Sequence, residues 1–273
     1  MLYCYYLHYM LLARKSFIQE KVVLAIVPII GIILSFRFVL PYAVSTILIY
    51  LLPGLYLDLD QRACRSIPRH FLFAIVVSIP FAIIADYIGT RSGLWYVPQS
   101  IFPWRFMGVI PYEDFLWMIA AVYVIVSLYG RSEAQDKRVV FMNGGRRFVF
   151  SSTLILIVFF ILNHLYPALF VWHTPWAYAI LGIILFLIPA IIWLSSTTDP
   201  IRKVLPIIGY FFYLTLLLEI TGTHLGDWLF QGKYLFPMFA PFGLGAIPFE
   251  EFFFVGVVGP MAAIGLYEYF GCD

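Results

Sequence analysis

Charge is what this chain has least of. Asp, Glu, Lys and Arg make up 12% of its 273 residues, against about a quarter in an ordinary soluble domain. The formal net charge is only +2, which argues against nucleic acid as the main partner. Cysteine is sparse too: Cys4, Cys64 and Cys272 are odd in number and scattered, which excludes a disulfide framework and a cysteine metal cluster. The histidines, His8, His70, His164, His173 and His224, show no ligand spacing, so no metal centre is expected. No G-x-G-x-x-G follows a strand, which argues against a bound dinucleotide and any cofactor of that type. Asn143-Gly144-Gly145 reads as a loop turn. The apolar first thirteen residues are followed by no small-residue cleavage site, so a removable signal peptide is not expected.

Apolar residues fill the space that charge leaves. Hydrophobic residues are 63% of the chain and the mean hydropathy is +0.93. A soluble core cannot hide that much apolar surface, whereas hydrocarbon can solvate it. The reading is an all-α integral membrane protein of about eight transmembrane helices. Runs of roughly 20 apolar residues, the length of a span, fall at 17–36, 40–57, 71–90, 107–129, 148–168, 174–195, 203–222 and 249–269. All Lys and Arg except Arg37, Arg91, Arg105 and Lys233 fall on one side of that topology. The positive-inside rule makes that side, with both termini, cytoplasmic. Residues 1–16 read as an N-terminal segment on the membrane surface.

The chain repeats itself. Asp86-Tyr-Ile-Gly-Thr-Arg-Ser-Gly-Leu-Trp95 aligns without gaps on Glu219-Ile-Thr-Gly-Thr-His-Leu-Gly-Asp-Trp228. Both continue through an aromatic loop with Phe-Pro, Phe102-Pro103 and Phe236-Pro237. Each then closes with Gly-x-Ile-Pro-aromatic-acid-acid-Phe, Gly108 to Phe115 and Gly245 to Phe252. Upstream, Pro41-Tyr-Ala43 aligns on Pro175-Trp-Ala177. The organisation read from this is a first four-helix repeat at 17–130, a charged cytoplasmic linker at 131–147 and a second repeat at 148–273. Four helices per unit give both copies the same orientation, about an axis along the membrane normal.

The repeat gathers acids toward one face of the bilayer. Asp86 and Glu219 fall in the last turn of the third and seventh helices, where the dipole prefers cations. An acid there, at the hydrocarbon boundary, faces a partner or a cavity, or is clasped by the amides of the glycine loop. Glu113, Asp114, Glu250 and Glu251 open the fourth and eighth helices. Proline and carboxylates are also ordinary at a helix start, and adjacent residues point about 100° apart. At most one of each acidic pair therefore faces a cavity fully. Trp95 and Trp228 are either site residues or interfacial belt residues. Gly89, Gly93, Gly222 and Gly226 read as backbone turns, braced by Thr90 and Thr223. His224, near Asp227, is either a proton shuttle or a solvated loop histidine.

These tandem acid–Trp–Pro-x-acid-acid units resemble the integral-membrane lycopene cyclase family in its fused form. The resemblance covers nearly the whole chain. Pro248-Phe-Glu-Glu251 matches the family pattern, whereas Pro111-Tyr-Glu-Asp114 departs in its last acid. It implies a linear carotene substrate such as lycopene, contact with membrane lipid, no net redox and no cofactor, and association with other carotenoid-pathway enzymes. Redox-neutral cyclisation needs a strong acid, a base, a dry cavity and cation stabilisation. Two close carboxyls in a low-dielectric site cannot both ionise, so one serves as acid and its neighbour as base. The acid is expected to be Glu250 or Glu251 with Glu219 as partner; Glu113, Asp114 and Asp86 form the corresponding set. Trp95, Tyr96, Tyr112, Trp228 and Phe249 are candidates for cation stabilisation, worth about 0.5–2 kcal/mol each.

Other readings are open. A membrane carotenoid hydratase shares the protonation step and lets water capture the cation. A small transporter also carries repeats and intramembrane acids, although those acids usually sit near the midplane. An intramembrane glutamate protease requires Glu-Glu-x-x-x-Arg, and Val255 stands at the arginine position. A retinal protein is disfavoured because the final helix carries no lysine.

Overall fold

The computed structural model describes residues 2–60, 67–132, 143–197 and 200–270, with side chains from Glu20 onward except Asp60, Ser132, Pro200 and Lys203. Eight helices are long and apolar enough to cross a membrane. They are α1 (Glu20–Phe38), α2 (Tyr42–Leu59), α3 (Ile67–Arg91), α4 (Tyr112–Arg131), α5 (Asn143–Leu165), α6 (Ala177–Ser196), α7 (Val204–Leu225) and α8 (Glu251–Phe270). The chain is an all-α, multi-pass membrane protein. Its outer surface agrees: Ile26, Ile30 and Ile33 on α1 and Leu154, Ile155 and Ile161 on α5 are exposed, as lipid-facing residues are.

The two halves of the bundle interlock. α1 lies against α7 and α5 against α3, so the first helix of each half covers the third helix of the other. Tyr210 and Tyr213 on α7 fix one of these contacts by donating to the Leu24 and Ala25 carbonyls, at 2.9 and 2.7 Å. The core runs through the middle of the bundle, around Tyr50, Phe73, Tyr123, Phe211, Leu214 and Ile264. α2 and α6 each carry a π-helical turn, at Ile47–Leu51 and Ile183–Leu187. The spacing that brings these turns into register also superposes Pro53 on Pro189 and Tyr42 on Tyr178. The equivalent of Tyr42 is thus Tyr178, not Trp176 as the Pro41–Pro175 alignment has it.

Two local readings change for steric reasons. Residues 107–111 are not helical. Arg105–Phe106 (β1) and Ile110–Pro111 (β2) pair antiparallel around Gly108, whose φ of +78° favours glycine. Met238–Phe239 (β3) and Ile247–Pro248 (β4) form the matching hairpin before α8. Asn143-Gly144-Gly145 is not a turn but the start of α5. A Cβ on Gly144 would lie 1.9 Å from the Tyr269 carbonyl oxygen, so glycine lets α5 meet the end of α8. Residues 2–16 are not a separate segment in the backbone: one 37-residue helix runs from Leu2 to Phe38, longer than the ~30 Å hydrocarbon core at 1.5 Å per residue. Residues 133–142 of the linker lie outside the described residues.

Candidate functional site

The acid-x-x-Gly-Thr-x-x-Gly-x-Trp motif builds a clasp. The acid and the first glycine are three residues apart, on one face of the helix end. The second glycine, Gly93 or Gly226, takes φ +69° or +74° and turns the chain back over that face. The tryptophan then lies flat on the first glycine: a Cβ on Gly89 would meet the Trp95 ring at 2.2 Å, and one on Gly222 the Trp228 ring at 2.1 Å. Only glycine leaves room for the indole to reach back to the acid. Trp228 Nε1 donates to Glu219 Oε2 at 2.9 Å, and Trp95 is the hydrogen-bond partner of Asp86. Gly89 and Gly222 are therefore platforms rather than turns. Thr223 binds back to the Glu219 carbonyl at 2.6 Å.

The acidic pairs divide their labour. Glu113 accepts from Ser100 Oγ at 2.7 and 2.9 Å and from the Ile101 amide at 2.5 Å. Glu250 Oε1 accepts from the Leu235 and Phe236 amides at 2.6 and 3.0 Å. Both first acids thus tie down the aromatic loops. The second acids, Asp114 and Glu251, turn inward, as the 100° step requires. Asp114 is bonded by Tyr42, and Glu251 Oε2 accepts from Tyr178 Oη. Each tyrosine also packs on the tryptophan of the other half. The Tyr42 and Trp228 rings are 4.7 Å apart, and those of Tyr178 and Trp95 5.6 Å. Two chains result, Asp86–Trp95–Tyr178–Glu251 and Glu219–Trp228–Tyr42–Asp114, and each spans both halves.

Between them lies a cavity of ≈ 90 Å³, walled by these eight residues with Trp117, Met118, Phe186, Phe230 and Val255. That is several times the ~10–15 Å³ that one water needs. The four acids are 3–6% exposed, and among the described residues no Lys, Arg or His lines the cavity. Asp86 Oδ2 and Asp114 Oδ2 are buried with no hydrogen-bond partner among the described residues, so these two acids each hold one oxygen fixed and one free. On the loop side the two halves are strapped together. Tyr96 and Leu229 exchange backbone hydrogen bonds at 2.9 and 2.8 Å, and Tyr234 Oη donates to the Leu94 carbonyl. No group of three or more His, Cys, Asp or Glu side chains among the described residues is arranged to hold a metal.

The candidates of the sequence reading therefore separate. Asp86, Glu219, Asp114, Glu251, Trp95 and Trp228 converge on one cavity. Glu113 and Glu250 are loop clasps. Tyr96, Tyr112 and Phe249 are 43–49% exposed and outside it; Tyr96 lies under the Arg105 guanidinium, and Phe249 packs on Phe236. His224 is exposed against Phe36. Just beyond α7, Asp227 is buried with one oxygen unpartnered, and burial pushes its carboxyl up to about 6. Sequence reasoning missed Tyr42, Tyr178, Trp117, Phe186 and Phe230. The Pro41-Tyr-Ala43 match held the signal for the tyrosines, two residues out of register on the second copy. No family model, curated protein or solved structure matches this chain.

Proposed function

We propose that this chain is a carotenoid cyclase that closes the ψ-end group of a linear carotene such as lycopene by acid–base chemistry. The observation that carries the reading is a buried, aromatic-walled cavity inside a membrane bundle that presents four carboxyl groups and, among the described residues, no cation. Glu251 is the general acid. Its proton goes to C2 of the terminal C1=C2 double bond and leaves a tertiary cation at C1. The C5=C6 double bond attacks C1, forms the C1–C6 bond and moves the cation to C5. Loss of a neighbouring proton restores a double bond and sets the ring type. Asp114 or Asp86, each with a free oxygen, accepts that proton. No electrons are exchanged with a partner, and proton uptake equals proton release. The faces of Trp95, Trp228, Tyr42 and Tyr178 stabilise the passing cation, at about 0.5–2 kcal/mol each when desolvated.

On this reading the halves are tandem repeats of parallel orientation, both termini are cytoplasmic, and both halves serve one active site. The enzyme draws substrate from lipid and works beside the enzymes that make linear carotenes. Hydration is the second reading, favoured by the unpartnered oxygens of Asp86 and Asp114, which suit a water in the cavity. Expression in a lycopene-accumulating bacterium, followed by pigment chromatography, tests both. A cyclic carotene supports cyclisation and a tertiary alcohol supports hydration. Unchanged lycopene despite good membrane expression rejects both.

A further inference from the structure

A second cavity of ≈ 40 Å³ adjoins the acidic one. The two share Trp117, Met118, Phe186 and Val255, so these four side chains form the wall between them. The second is a slot between α3, α4, α6 and α8, lined by Val77, Phe81, Ala121, Ile125, Ala262 and Ala263, with Ser78 as its one hydroxyl. Along α4 it runs from Trp117 to Ile125, ~12 Å at 1.5 Å per residue. Its mouth is placed by helical phase. Trp117 and Met118 follow Asp114 by three and four residues, so they lie on its helix face, and Val255 lines the acidic cavity together with Glu251. A chain running up the slot therefore ends between the Asp114 and Glu251 carboxyls.

The equivalent place in the other half is occupied. The residue equivalent to Phe186 is Tyr50, which is fully buried. Its hydroxyl is bonded to Thr215 Oγ1 at 2.9 Å, and its ring stacks on Phe211 at 5.5 Å. Thr215 is itself anchored to the Phe211 carbonyl at 2.9 Å. A hydrogen-bonded tyrosine fills the space that Phe186 leaves open.

Building on the cyclase reading, we infer that the slot between α3, α4, α6 and α8 is the subsite for the polyene chain of the substrate, and that it makes the otherwise paired site one-directional. The slot is narrow and apolar, which suits a flat conjugated chain. Only the side chains of Trp117, Met118, Phe186 and Val255 stand between it and the acidic cavity, and their rotation joins the slot to the place where the substrate's tip is protonated. A single slot admits a single chain, so one end group is presented at a time.

Binding separates this inference from the cyclase reading. Protein in phosphatidylcholine nanodiscs is titrated with lycopene, and quenching of tryptophan fluorescence is followed. Ala121→Leu combined with Gly259→Leu fills the slot. A Cβ on Gly259 meets only ordinary contacts, 3.5 Å to the Phe254 carbonyl oxygen and 3.9 Å to Phe186, so the backbone tolerates it. Lycopene affinity should fall at least tenfold in this variant, whereas Glu250→Gln, in a loop clasp outside the cavity, should bind as tightly as the wild type. Ala262→Val, a smaller change, should give an intermediate loss and guards against misfolding of the double variant. Unchanged affinity in both slot variants overturns the inference. So does native mass spectrometry showing a phospholipid held by the wild type and lost from the slot variants while lycopene still binds. Slot-dependent binding without conversion to any product leaves the slot standing and removes the cyclase reading.

Discussion

Replacing Gly222 by alanine tests how the site holds its acids. The new Cβ would stand 2.1 Å from the Trp228 ring, far inside van der Waals contact, so the indole must leave the helix. Overpacking of this kind costs about 1–3 kcal/mol. Displacing the indole also breaks its 2.9 Å bond to the buried Glu219, and leaving such a group unsatisfied costs about 1–3 kcal/mol more. Alanine recovers up to ~1 kcal/mol through helix propensity. Gly222→Ala should therefore destabilise by about 1–5 kcal/mol. Trp228→Phe removes the same donor but leaves a smaller ring, so it loses the bond without the clash. In the double variant the bond is lost once and alanine has room. The two changes should then fall short of additivity by about 2 kcal/mol, within the range seen for residues in contact. Detergent unfolding of the four proteins measures this, with activity followed in parallel. Strict additivity would mean that the glycine does not seat the indole, and the account of the motif would be wrong.

Other perturbations separate the roles of neighbouring groups. Glu250→Gln keeps an acceptor for the Leu235 and Phe236 amides and should stay folded and active. Glu250→Ala should instead open the 235–236 loop to limited proteolysis. Asp58 is fully buried and accepts from Tyr123 at 2.8 Å and Ser127 at 3.2 Å, with His70 at 2.9 Å. Asp58→Ala should cost about 3–5 kcal/mol in detergent unfolding without altering which product forms. Burial raises Asp227 to about 6 in the folded protein, above its ordinary value of about 3.9. The folded state therefore binds that proton more tightly, and its contribution to stability is full below pH ~4 and falls as pH rises to about 6. Asp227→Asn should raise the Tm relative to wild type above pH 6, and the gain should vanish below pH 4.

Much of the bundle was legible because apolar length and repetition are linear signals. Seven of the eight helices fall within five residues of their expected ends, and the first starts fifteen residues early, at Leu2. The departures come where local geometry departs from periodicity. Gly108 permits a hairpin inside a stretch apolar enough to read as helix. Gly144 looks like a turn residue, but its role is set by Tyr269, which is remote in sequence. The acids were found by the repeat, but their division was not. Only the phase of α4 and α8 distinguishes Glu113 from Asp114 and Glu250 from Glu251. Tyr178 escaped because the prolines Pro41 and Pro175 fixed a misleading register, which the π-helical turns of α2 and α6 correct. Phe186 and Trp117 carry no local motif, and their place in the wall follows from packing alone.

The central claim is that a carboxyl group in the shared cavity passes its proton to an alkene. Lycopene turned over in D₂O by membranes carrying the wild-type protein, with product mass read by spectrometry, tests it most directly. The account predicts a single deuterium for each ring formed and no ring formation by a folded Glu251→Gln protein. A cyclic product without deuterium, or unchanged ring formation by Glu251→Gln, would contradict it.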